Sequence, residues 1–109
     1  MRALALPGAF VLLTACALEA QPEPLLVTPE GDAAWHAQVD EAATIWNDAL
    51  GCEAFRIALE GLPVHLYTTA WPGLATERGY YDGLEVAVRR TTLEVERATL
   101  VHELGHVMG

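Results

Sequence analysis

Between Asp32 and Gly51 lies a segment that fits one local structure. Trp35, Val39, Ala42, Ala43, Trp46, Ala49 and Leu50 recur at intervals of three and four, which places them on one stripe of an α-helix. His36, Asp40, Glu41, Thr44 and Asp48 fall off that stripe. Asp32 offers a side-chain acceptor at the helix start, and Gly51 stands where a glycine ends one. A helix with a single apolar stripe must bury it against a second layer, with Trp35 and Trp46 as the bulkiest anchors.

The residues that follow supply strands for that layer. Phe55 to Leu59 and Val64 to Thr68 read as strands divided by Glu60-Gly61-Leu62-Pro63. Trp71 to Gly79 reads as loop, and Tyr80-Tyr81-Asp82-Gly83 as a turn into Leu84 to Arg90, which alternates like a half-buried or edge strand. Thr91 or Thr92 then caps a second helix, and Thr91-x-x-Glu94 has capping-box spacing. Upstream, Ala17 to Gly31 carries Pro22, Pro24 and Pro29 among glutamates and reads as an extended tether, in which Leu25-Leu26-Val27 can pair as a first strand. The expected class is α+β: one mixed sheet, a long first helix and a second helix at the end of the chain.

The opening residues stand apart from this pattern. Arg2, the apolar run Ala3 to Leu13 and the small residues that close it read as an export signal, too short to span a bilayer. Leu13-Thr14-Ala15-Cys16 resembles the bacterial lipoprotein box, which makes Cys16 the lipidated first residue of the mature chain. Cleavage after Ala15-Cys16-Ala17 is the rival, and it discards Cys16. The expected division is 1–15 signal peptide, 16–31 tether and 32–109 folded domain, exported to a bacterial envelope or secreted, with membrane contact only through the lipid.

Removing Arg2 leaves five arginines, no lysine and fifteen carboxylates, a net charge of −10. Such a surface argues against nucleic acid and anionic lipid as partners. Composition does not fix the oligomeric state. With Cys16 lipidated, Cys52 has no partner in this chain and is either a small buried apolar residue or half of a disulfide whose other half is missing.

The final helix carries the chemistry. His102 and His106 stand one turn apart on a single face, which Val95 and Thr99 extend towards the N-terminus. Leu93, Leu100, Leu104 and Val107 form the opposite, core-facing side. Imidazoles at i and i+4 reach one tetrahedral zinc without bending the helix. Glu103 leans to the side of the pair, where a carboxylate takes a proton from zinc-activated water and delivers it to a leaving amine. His36 and His65 read as ordinary surface and strand histidines.

His102-Glu103-Leu104-Gly105-His106-Val107-Met108-Gly109 resembles the start of the metzincin signature His-Glu-x-x-His-x-x-Gly-x-x-His, and more narrowly the matrixin zinc peptidases. Ala43-Thr44-Ile45-Trp46-Asn47 adds a weaker likeness, and the order of elements resembles the upper subdomain of that fold. The resemblance implies Zn2+ as cofactor, His102 and His106 as ligands, Glu103 as general base and a peptide or protein as substrate. It also implies that the strand around Leu84 to Arg90 is the edge on which an extended peptide is laid. The signature's third histidine would fall three residues beyond Gly109, and its methionine-containing turn further on; Met108 lies within the helix. Gly51-Cys52-Glu53 does not match a cysteine-switch propeptide. The expectation is a zinc endopeptidase whose 109-residue form is incomplete, against the alternative of an exported, non-catalytic metal-binding lipoprotein.

Overall fold

The computed structural model describes residues 23–109. The expected signal peptide and lipidation site at Cys16 lie outside the described residues. Five strands and two helices follow in the order β1 (Leu25–Glu30), α1 (Ala33–Leu50), β2 (Phe55–Ile57), β3 (Leu62–Tyr67), β4 (Gly79–Tyr81), β5 (Val86–Arg89) and α2 (Leu93–Met108). The fold is α+β. The strands form one mixed sheet in the order β2-β1-β3-β5-β4, parallel except for β4, which runs antiparallel to β5.

Local rules account for α1. The Asp32 side chain accepts from the Trp35 N–H at 2.9 Å, and Gly51 adopts a left-handed φ of 76° as it closes the last turn. Trp35, Val39, Ala42, Ala43 and Leu50 are buried, Trp46 is half-buried, and Ala49 is exposed despite its place on the expected stripe, being in the last turn. The Trp35 indole donates to the Val64 carbonyl at 2.9 Å, fixing α1 over β3. Asn47 extends the same contact to β2: its amide oxygen accepts from the Ala54 and Phe55 N–H groups, and its NH2 donates to the Phe55 carbonyl.

Strand boundaries depart from expectation where tertiary pairing decides them. The strand expected over Leu25–Val27 runs on to Glu30, so part of the tether lies inside the sheet, between β2 and β3. Pro29 is accommodated because β1 pairs only with β3 there, β2 having ended at Ile57 opposite Val27. Leu62 and Pro63, expected to divide two strands, begin β3 opposite Val27 and Thr28. β2 stops at Ile57, and Leu59 is 95% exposed. Tyr80 and Tyr81, expected in a turn, belong to β4; the turn is Asp82 to Glu85, where Asp82 Oδ1 accepts from the Leu84 and Glu85 N–H groups and Gly83 takes a φ of 88°. Those two bonds hold the Asp82 carboxyl below the usual carboxylate range.

A larger correction concerns β5. Val86, Ala87 and Val88 are fully buried, and the strand lies between β3 and β4. It is therefore an interior strand, and the sheet edge on that side is β4. Both helices pack on one face, over Val27, Val64, Leu66, Val86 and Val88. The other face carries an aromatic cluster. His65 stacks on Tyr67 at 4.0 Å between centroids, Trp71 meets the edge of Tyr67, and Tyr80 meets Trp71. The Tyr67 and Tyr80 hydroxyls both donate to Glu85, at 2.9–3.0 Å. Burial, and then those bonds to a carboxylate, push both phenols above their ordinary pKa, Tyr80 the further of the two.

At the start of α2, Thr92 rather than Thr91 is the cap, its hydroxyl accepting from the Val95 N–H at 3.3 Å. Leu93 is 71% exposed and not part of the core face; one turn on, Glu96 holds that position at 1% exposure. The Glu96 carboxylate accepts from the Thr91 N–H at 2.7 Å and from Gln38 of α1 at 3.2 Å, and pairs with Arg90 at 2.9 Å. A buried charge held by three partners takes the place of an apolar contact.

Cys52, half-buried just past α1, is disulfide-bonded, so it is not the free, buried apolar residue that one of the two readings expected. A thiol engaged in a disulfide is unavailable for lipidation. In a chain of two cysteines, a lipid on Cys16 is compatible with a bonded Cys52 only if Cys52 pairs outside the chain.

Candidate metal centre

His102, Glu103 and His106 all lie on α2, and three contacts set how that helix presents them. Leu100 and Leu104 are fully buried and fix which side faces the sheet. The Trp46 indole N–H crosses from α1 to donate to the Val101 carbonyl at 2.8 Å. Gly105 lets that ring in: a Cβ there would stand 3.0 Å from Trp46 Cζ2. The glycine inside the motif is thus a packing requirement of the helix pair.

On the far side of the helix, both imidazoles are exposed. Their Nε2 atoms are 3.1 Å apart and the rings nearly perpendicular, at 83°. Two nitrogens bound to one tetrahedral zinc at about 2.0–2.1 Å stand roughly 3.3–3.4 Å apart, so the pair fits as two of its donors within a few tenths of an ångström. With no ion between them, the same separation lets one neutral ring donate an N–H to the other. Among the described residues no cluster of three or more His, Cys, Asp or Glu side chains is arranged to hold a metal. His36 is exposed on α1 and His65 sits in the aromatic cluster, so neither joins the pair.

Glu103 is only 8% exposed although its neighbour in sequence is open to solvent. It turns towards β4, where a Cβ on Gly79 would lie 3.4 Å from Glu103 Cγ and 2.5 Å from Thr99 Cγ2. Gly79 therefore allows the edge strand to close against the Thr99–Glu103 side of the helix. Val95 and Thr99, expected to extend the histidine face, are half-buried in consequence.

The result is a groove lined by Thr76, Arg78, Gly79, Ala98, Thr99, His102 and Glu103. It runs between α2 and the strand at the sheet edge. Gly79, Arg78 and Thr76 are the members the sequence left in a loop; nothing in Thr76 to Gly79 has strand alternation or a motif to mark it. Comparison of the chain with protein-family models, with curated proteins and with solved structures finds no match.

Proposed function

We propose that this chain carries the zinc-binding helix and the upper part of the substrate cleft of a matrixin-like metalloendopeptidase. The observation that carries the reading is the 3.1 Å convergence of the His102 and His106 Nε2 atoms on an exposed face, with His102 and Glu103 lining one groove. His102 and His106 would hold the ion, and a third donor would come from beyond Gly109, as the resemblance implies.

When bound, zinc lowers the pKa of a coordinated water to about 7 and polarises the scissile carbonyl. Glu103 takes the proton from the attacking water and returns it to the leaving amine. Its low exposure keeps bulk water from competing for that proton, and the wall at Gly79 limits the directions in which its carboxyl can turn. β4, not β5, has the unpaired edge, and an extended peptide adding to it would run past Glu103 and the two imidazoles.

The count of two donors favours a second reading, an exported protein that binds metal without catalysis. Zinc titration and peptide hydrolysis on the 109-residue chain and on a longer gene product separate the two. The first reading expects little hydrolysis by the short form, hydrolysis by the long one, and loss of that activity in Glu103→Gln with zinc still bound. Zinc binding by the long form without hydrolysis would favour the second reading, and no zinc binding by either form would refute both.

A further inference from the structure

We propose that the groove selects peptides bearing an acidic side chain, through Arg78. The inference rests on the reading of this groove as a peptide site. The chain has six basic side chains against fifteen carboxylates, so a guanidinium with no partner of any kind is not left so for want of anions. Arg56 pairs with Glu53, Arg90 with Glu96 and Arg97 with Glu41. Arg89 donates to the Ala75 carbonyl and lies over the Trp71 ring. Among the described residues, Arg78 alone of the arginines has a guanidinium with no hydrogen bond, ion pair or ring contact, and it is the arginine that lines the groove beside His102 and Glu103.

Its backbone is fixed even though its side chain is open. The Arg78 carbonyl accepts from the Arg89 N–H at 2.8 Å, immediately before β4. A peptide laid along β4 therefore passes a positioned cation whose planar fork matches a carboxylate in a bidentate pair. The chain as a whole carries a net negative charge, and Arg78 is the one arginine among the residues that line this groove. Selection by one solvent-exposed ion pair is modest, about three- to fivefold, and is screened by salt.

Fluorescent, end-blocked peptides that differ only in Glu, Gln or Lys at one scanned position test this on the intact chain with zinc. Anisotropy reads binding, and hydrolysis of the same peptides is followed in parallel. At one position the Glu peptide is expected to bind about three- to fivefold more tightly than the Gln peptide at low salt, with the ratio shrinking in 0.5 M NaCl. Arg78→Gln should bring that ratio to about one, and Arg78→Glu should reverse it in favour of Lys. A wild-type chain with no position preferring Glu, or a preference that survives in both variants, overturns the inference. Selective binding without hydrolysis in a longer gene product removes the endopeptidase reading and keeps the acidic-ligand groove. Hydrolysis indifferent to charge does the reverse.

Discussion

Adding one methyl group to Gly105 sets two effects of known sign against each other. In an open helix, Gly→Ala stabilises by about 0.5–1 kcal/mol because the unfolded chain loses conformational freedom. Here the new Cβ would stand 3.0 Å from Trp46 Cζ2 and 3.5 Å from Cη2, closer than carbon atoms normally pack. The indole cannot simply retreat, because its N–H is engaged with the Val101 carbonyl at 2.8 Å. Moving the ring far enough strains or breaks that bond, about 1 kcal/mol, and overpacking adds about 1–2 kcal/mol. The net expectation for Gly105→Ala is destabilisation by about 1–2 kcal/mol, which in a domain of this size lowers Tm by roughly 4–16 °C. A double-mutant cycle with Trp46→Leu isolates the cause, since the smaller side chain leaves room for the methyl. In that background Gly105→Ala should be neutral or stabilising, giving a coupling of about 1–3 kcal/mol. Urea denaturation followed by far-ultraviolet circular dichroism reads all four corners. Stabilisation by Gly105→Ala in the wild-type chain would refute the account of the helix latch.

Further tests address other parts of the molecule. Glu96→Ala leaves the Thr91 N–H and Gln38 amide without their acceptor and should destabilise by about 2–4 kcal/mol in urea melts, whereas Glu94→Ala should stay within about 0.5 kcal/mol. The raised Tyr67 and Tyr80 phenols contribute stability that is fully present below pH about 10 and is lost as pH rises through their folded-state values. Glu85→Gln should therefore move the phenolate absorbance transition to lower pH in a Tyr81→Phe background; an unmoved transition would show that Glu85 does not act on the pair. His102→Ala or His106→Ala should each abolish zinc binding at micromolar metal as read by isothermal titration, while His36→Ala and His65→Ala should not.

What could be read from residues alone was what neighbours in sequence determine. Asp32, the apolar stripe and Gly51 define α1 because capping and periodicity act within a few residues. His102, Glu103 and His106 fall on one helix for the same reason. The errors lie where partners distant in the chain decide. Tyr80-Tyr81 becomes a strand only because Val86 and Ala87 return beside it, and Pro29 and Pro63 are admitted to strands only because each is paired on one side there. Val86-Ala87-Val88 reads as alternating, yet Ala87 is as buried as its neighbours because the tyrosine and histidine cluster covers the second face. Glu96 carried no local sign of burial; its position depends on Gln38, which α1 brings across. The groove walls at Arg78 and Gly79 belong to the same class.

The position of β1 bears on how the molecule assembles. It leaves the ribosome before every other strand, yet it lies between two neighbours that are both made later: Leu25 waits for Phe55, and Val27 for Leu62. Until those segments are synthesised its backbone has no native ladder to join, so this seam closes late and over long loops, which slows folding. Deleting residues 25–30 would strand β2 from the rest of the sheet, so trimming that reaches into β1 should unmake the fold.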